Sequence, residues 1–314
     1  MPSSLIADIG GTNARFALVA ETGDIGPVTA FKCADYPSLT AAAQRFLAVA
    51  APAQPPTHGA FCVASPISGD RVTLTNHAWA FSIAETGHAL GLNPFTVIND
   101  FNAIARAIPH LGDADREKIG GGTRDPKRPI GILGAGTGLG VSSLVPTPEG
   151  HWLPFSGEGG HVTLAATTDR EAEILAHLRG EFGHVSAERA LSGQGLENLY
   201  GALAALSTSA PKYQTAAEIT AAAGEDSLAT ETVALFCGFL GNVAGNLALS
   251  LGAKGGIYIA GGIVPRLGSA FAASPFRQQF EAKGRFSDYL KPIPTYVVTH
   301  PYPALVGLAH LLDD

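Results

Sequence analysis

Apolar residues along the chain fall into two patterns. Short runs bounded by glycine, proline or asparagine read as buried strands, and longer stretches with apolar positions three or four apart read as helices. The first run, Leu5–Ile9, is followed by Gly10-Gly11-Thr12-Asn13 and a second run, Arg15–Val19, so strand, turn, strand is expected. A third strand is expected at Val28–Cys33. Ser38 then stands where an N-cap belongs, ahead of a helix rich in Ala, Leu and Phe. His58–Ala64 reads as a strand. Ser82-Ile83-Ala84-Glu85 has the form of a capping box, and Gly91 closes the helix it opens. Phe95–Ile98 reads as a buried strand and Phe101–Ile108 as a helix stopped by Pro109.

The pattern then restarts with Pro129–Leu133, a glycine-rich turn and Val141–Val145. Gly11-Thr12 and Gly136-Thr137 hold equivalent places 125 residues apart. This reads as a diverged internal duplication, hence two similar α/β halves. The second half is more helical. Thr168-Asp169-Arg170-Glu171 is another capping box, opening a helix that ends near Gly183. The Ser/Ala-rich stretch 204–217 reads as a surface loop. An apolar helix over 231–251 ends at Gly252. Strand Gly256–Ala260 runs into Gly261-Gly262, and strand Thr295–Val298 precedes a last helix at about Pro303–Leu312. No stretch has a linker composition, so a domain boundary is expected near Pro109.

Residues 232–253 carry no charge, long enough to raise a membrane span. The stretch contains Gly238, Gly241 and Gly245 on one helical side, together with Asn242, Asn246 and Ser250. It lacks Trp/Tyr anchors and a basic flank. A buried helix in close backbone contact with a neighbour is therefore expected, and no membrane partner.

Composition narrows the function. The 314 residues suggest two domains or one large one. Lys and Arg total 20 against 27 Asp and Glu, a net charge of −7, and Lys127-Arg128 is the longest basic run. Clustered cations for nucleic acid or an anionic membrane are absent. Hydrophobic residues make up 46%, enough for a large core. Cys33, Cys62 and Cys237 are far apart, with no CxxC, which argues against a disulfide framework and against zinc. The count fits a reducing compartment, and Met-Pro-Ser-Ser lacks a basic n-region or long apolar h-region. A cytoplasmic location is expected.

The candidate chemistry begins at Asp8-Ile9-Gly10-Gly11-Thr12-Asn13. Adjacent glycines can take positive φ and bring backbone N–H groups close to an anion. Thr12 and Asn13 can add side-chain donors, and Asp8 can hold Mg²⁺ through water. A plain hairpin explains the same residues. The second turn, Gly134-Ala135-Gly136-Thr137-Gly138-Leu139-Gly140, fits neither a GxGxxG dinucleotide fingerprint nor a P-loop. Two Gly/Thr hairpins facing each other would grip a polyphosphate from both sides. The second has no counterpart of Asp8, so the metal should lean on the first half. Gly261-Gly262, after a strand, offers bare backbone to a base or ribose, or simply tight helix–strand packing.

The set Asp8-Ile-Gly-Gly-Thr-Asn-Ala-Arg15, Thr75-Asn-His-Ala-Trp-Ala-Phe-Ser82, Ile98-Asn-Asp-Phe101, Gly134-Ala-Gly-Thr-Gly138, Gly157-Glu-Gly-Gly-His161, His184-Val-Ser-Ala-Glu-Arg189 and Ala260-Gly-Gly-Ile263 resembles the bacterial ATP-dependent glucokinase family of the actin/hexokinase superfamily. The match runs in order from Asp8 to at least Arg266. The Cys-rich motif of the zinc-bearing repressor/kinase relatives is missing. The resemblance implies a two-domain actin-like (ribonuclease-H-like) α/β fold with an interdomain cleft where ATP and glucose meet. It also implies a C-terminal helix returning to the first domain. Residues 1–109 plus 301–314 would form the small domain and 110–300 the larger one. A homodimer is implied as well.

A hexose pocket needs carboxylates and amides in fixed geometry, because each hydroxyl both donates and accepts. Asn99, Asp100, Glu158, His161 and Glu188 supply that inventory, and Asn76 adds to it. Asp100 is the candidate general base for the sugar 6-hydroxyl. Asn99-Asp100 are equally well placed as helix caps. Glu158 and His161 sit in a Gly-rich loop, and Glu188 stands in what reads as a helix first turn, where a carboxylate is favourable for the dipole alone. Trp79 and Phe81 could cover apolar sugar faces, though an aromatic pair before a capping box is more often core. The reading is a kinase making glucose 6-phosphate from ATP and glucose. Alternatives are a kinase for mannose or N-acetylglucosamine, a sugar-binding regulatory module, and an actin-like assembly protein.

Overall fold

The N-terminal third forms β1 (Ser4–Ile9), β2 (Asn13–Val19), β3 (Thr29–Lys32), β4 (His58–Val63), β5 (Arg71–Thr73), β6 (Ala80–Ser82) and β7 (Phe95–Asn99). Its helices are α1 (Leu39–Ala50), α2 (Ile83–Leu90) and α3 (Asp100–Ala107). Five strands make one sheet in the order β3-β2-β1-β4-β7. β3, β2 and β1 run antiparallel, while β1, β4 and β7 are parallel. β1 and β4 are near-continuous apolar runs in the sequence, as strands buried on both faces must be, whereas the edge strand β7 leaves Thr96 exposed. The computed structural model describes residues 3–75, 77–207 and 209–312. The chain divides into two units, Met1–Gly112 with His300–Asp314, and Asp113–Thr299.

The second unit contains β8 (Arg116–Gly120), β9 (Ile130–Ala135), β10 (Leu139–Pro146), β11 (Trp152–Gly157), β12 (Ile257–Ala260) and β13 (Thr295–Val298). Their order is β11-β10-β9-β12-β13-β8. The first five repeat the order and directions of the other sheet strand for strand, with β8 added antiparallel at one edge. The duplication expected from two hairpins therefore extends through a whole sheet. Its first four helices are α4 (Asp169–Phe182), α5 (Gly193–Leu206), α6 (Ala216–Ala222) and α7 (Ser227–Leu251).

Local signals set several boundaries. Ser38 Oγ accepts from Ala41 N–H at the start of α1, and Gly91 closes α2 in the left-handed region at φ 70°. Thr168 and Glu171 complete a reciprocal capping box on α4. At α2 only half the expected box forms: Ser82 Oγ accepts from Glu85 N–H, and Asp70 accepts from the Ile83 and Ala84 N–H groups before it. Ser82 itself ends β6 and is paired with Arg71. The surface loop expected over 204–217 is shorter than that. α5 runs into it and α6 begins in it, behind a reciprocal Thr215–Glu218 box. Alanine is a strong helix former, and its abundance here signalled helix rather than loop.

α7 is long and apolar enough to cross a membrane, yet most of its apolar stretch is buried inside the protein. A Cβ on Gly241 would strike the Phe276 carbonyl, and one on Gly245 would lie 2.6 Å from the Phe280 carbonyl. The glycine side thus receives the short helix Phe276–Glu281 at backbone contact, as their spacing predicted. The last helix, Pro303–Leu311, packs on α3 in the first unit. There Gly307 leaves room for the Ala103 carbonyl.

Candidate active site

Ligands of open α/β sheets gather at the carboxyl ends of parallel strands. In the first unit those ends carry the chemistry. Asp8 of β1 is the register partner of Cys62 in β4, and Cys62 is the partner of Ile98 in β7. Asp100 follows two residues later, as the first residue of α3. Cys62 Sγ lies 3.7 Å from Asp8 Oδ1. Across the β1–β2 hairpin Asp8 faces Arg15, whose Nη1 donates to Oδ2 at 3.0 Å.

The hairpin turn is tied down from inside. Gly10 N–H donates to the Asn13 carbonyl at 3.0 Å, and Cys33 N–H donates to the Thr12 carbonyl at 2.9 Å. Positive φ, expected of its glycines, is not taken by Gly10 or Gly11, nor by Gly136 and Gly138 in the second turn. These bonds close the turn without it. The glycines instead leave bare backbone: a Cβ at Gly136 would meet nothing within 4 Å. Ile9 is fully buried and its carbonyl accepts from Ala64 N–H at 3.2 Å, so its side chain serves the core rather than a ligand.

Asn99 and Asp100 do cap a helix. Asn99 Oδ1 accepts from Phe101 N–H at 2.9 Å and from Asn102 N–H at 3.3 Å, and Asp100 Oδ1 also accepts from Phe101 N–H at 2.9 Å. Capping holds both side chains at the strand end. Burial, then the neighbouring Asp8 charge, push the Asp100 carboxyl up to about 7, against the smaller opposing pull of the Phe101 N–H. Burial also raises the Asp8 carboxyl, and Arg15 opposes that rise. The Cys62 thiol is pushed well up by burial and by the same two carboxylates.

In the second unit the Gly136–Gly138 turn joins β9 to β10. Its Leu139 N–H donates to Glu188 Oε2 at 2.8 Å, and a Cβ on Gly138 would collide with that oxygen. Glu158 and His161 are exposed, with Oε2 and Nε2 3.9 Å apart. Gly160 allows their loop to lie against the Leu139 carbonyl. The segments bearing His161 and Glu188 are joined by Ala187 N–H to the Val162 carbonyl at 2.9 Å. Gly261 takes φ 84°, and a Cβ there would strike the Ala135 carbonyl. Its absence is thus explained by packing. Gly262 is more open, with only Arg266 at 3.8 Å from an added Cβ.

The first unit therefore assembles Asp8, Asn99 and Asp100 around the Gly10–Asn13 hairpin. The second assembles Glu158, His161 and Glu188 near Gly136, Thr137 and Gly138, with Gly261 and Gly262 beside β9. Asn76 lies outside the described residues. Trp79 and Phe81 are core residues, and Trp79 Nε1–H donates to the Tyr36 carbonyl at 3.1 Å. Sequence reasoning assigned no role to Arg15 or Cys62. Arg15 could have been found by counting outward from the turn, since hairpin register pairs it with Asp8.

Among the described residues no group of three or more His, Cys, Asp or Glu side chains could enclose a metal ion. Asp8 has one oxygen on Arg15 and keeps 21% of its side-chain surface exposed. A single, partly exposed carboxylate fits Mg²⁺ held through water beside substrate phosphates, and does not fit an all-protein cage.

A family model described as Glucokinase matches residues 5–314. The chain is 53% identical over 312 residues to a glucokinase of Paramagnetospirillum magneticum, covering 99% of this chain and 97% of that one. It is 48% identical to a bifunctional protein of Paraburkholderia xenovorans, of which it spans 49%. A solved glucokinase from an Antarctic psychrotroph superposes with a TM-score of 0.88 at 39% identity, covering 100% of both chains. The fold is that of the two-domain actin-like sugar kinases.

Proposed function

Because this chain belongs to the glucokinase family, we propose that Asp100 is the general base in its transfer of the γ-phosphoryl group of ATP to the 6-hydroxyl of D-glucose. The products are glucose 6-phosphate and ADP. A neutral hydroxyl is a poor nucleophile, and a carboxylate can take its proton as the bond to phosphorus forms. The observation that carries this reading is the Asp100 carboxyl, fixed at the end of β7 and raised to about 7. A base that titrates near neutrality combines a useful ionised fraction with useful basicity.

The other roles follow from residue chemistry. Asn99, Glu158, His161 and Glu188 are read as sugar-binding, and Asn76 with them. The Asp8–Asn13 and Gly136–Gly138 turns, with Gly261 and Gly262, are read as nucleotide-binding. Asp8 would hold Mg²⁺ through water, and the ion, when bound, would neutralise phosphate charge. Arg15 keeps the Asp8 carboxylate oriented. Residues 1–109 plus 301–314 are read as the small domain and 110–300 as the larger one. The protein is taken to be a cytoplasmic homodimer. Three free, buried cysteines support the reducing compartment, and the dimer rests on the family resemblance.

The test is Asp100→Asn in a coupled ADP-release assay. Turnover should fall about 10²–10⁴-fold, the usual contribution of a general base, while calorimetry still detects glucose binding. Near-full turnover would remove the base assignment.

A further inference from the structure

We propose that Glu188 is a positioning residue for the nucleotide turn as well as a sugar ligand, so that one carboxylate links the two substrates. The inference rests on the reading of Glu188 as sugar-binding. Its geometry lies wholly within the second unit. The turn between β9 and β10 is held at both ends by the segment 188–193. At one end the Gly136 carbonyl accepts from Gly193 N–H at 2.9 Å. At the other, Leu139 N–H donates to Glu188 Oε2 at 2.8 Å.

The segment is itself braced. Ser192 Oγ donates to the Glu188 carbonyl at 2.9 Å and accepts from Gly195 N–H at 2.9 Å, fixing Glu188 to the start of α5. Gly138 has no side chain because Glu188 Oε2 occupies the place a Cβ would take. Oε2 is thus committed to the turn, and Oε1 is left for a sugar hydroxyl. A carboxylate shared in this way is half-buried and cannot swing freely to suit one ligand alone. Charge-assisted hydrogen bonds to backbone N–H are among the stronger ones. Losing the Glu188 anchor frees the β10 end of the turn. Disturbing the turn at Gly138 in turn displaces the sugar ligand.

The experiment measures each ligand in the absence of the other, by calorimetry on the full chain. The probes are glucose alone, and AMPPNP with Mg²⁺ alone. Glu188→Ala should weaken AMPPNP about tenfold with no glucose present, the size of one charge-assisted hydrogen bond. Glu188→Gln keeps an oxygen acceptor, so it should hold AMPPNP nearly as the wild type does while binding glucose more weakly. Gly138→Ala should weaken glucose about tenfold with no nucleotide present. Wild-type AMPPNP affinity in folded Glu188→Ala, or wild-type glucose affinity in Gly138→Ala, overturns the link. Unchanged glucose affinity in both Glu188 variants would instead overturn the sugar-site reading beneath it.

Discussion

Asp8 and Arg15 face each other across the first hairpin, joined by a 3.0 Å ion pair at the carboxyl end of the sheet. The pair is only partly exposed, so the guanidinium offsets a charge that burial disfavours. Arg15→Gln leaves that carboxylate without its counter-charge. The KM for MgATP at saturating glucose should rise about tenfold, the scale of breaking a charged hydrogen bond. Arg15→Lys should recover part of the loss, since it restores the charge but not the planar fork. Steady-state kinetics of the two variants checks this. An equal KM in all three proteins would separate Arg15 from the site.

As the proposed general base, Asp100 should set the acid side of the pH profile. Its carboxyl titrates at about 7, and only the ionised form accepts the sugar proton. Turnover should therefore be full above that value and fall about tenfold per pH unit well below it. A profile of kcat from pH 5 to 9 tests the sign. A limb near pH 4 would mean that the carboxyl is not raised in the working complex.

The same shift predicts a stability gain from a damaging mutation. Above its unfolded pKa, the native protein holds the Asp100 proton more tightly than the unfolded chain does. Stability contributed by the neutral acid is present at low pH and is lost as pH rises through about 7. Asp100→Asn removes that loss and keeps an oxygen for the Phe101 N–H. Its Tm should exceed the wild-type value by about a few degrees at pH 8 and converge with it towards pH 4. Melting curves at the two pH values suffice.

Gly307 meets the Ala103 carbonyl where the last helix crosses α3. Gly307→Ala inserts a methyl into that contact and should destabilise the protein by about 1–3 kcal/mol. α3 begins at Asp100, so turnover should drop with stability. Denaturant midpoints and kcat read both effects. An unchanged midpoint would mean that the two helices part without penalty.

Strands and helix caps were legible because each is written in neighbouring residues: Ser38, Gly91, Thr168 and Gly252 all act where the chain suggested. What escaped needed partners distant in sequence. The β5–β6 pairing brings Asp70 to the Ile83 and Ala84 N–H groups of α2, which the Ser82–Glu85 pair does not serve. Edge strand β8 is mostly polar, and β11 is interrupted by Pro154 and leaves Leu153 and Phe155 exposed, so neither reads as a buried strand. In the site, residue types marked Asp8, Asp100 and Glu188 as chemically able. Only register and packing show that Asp8 is paired with Arg15 and that Glu188 is already bound to Leu139 N–H. The duplication was visible in two hairpins, but its extent lay in strand order, which no local pattern encodes.

The docking of Pro303–Leu311 on α3 has a consequence for biogenesis. A ribosome delivers the chain in order, so α3 emerges early and its covering helix only after the whole of Asp113–Thr299 has been made. The intervening unit can mature on its own schedule. The earlier one must wait, with an apolar flank open to chaperones, until Pro303–Leu311 has been made.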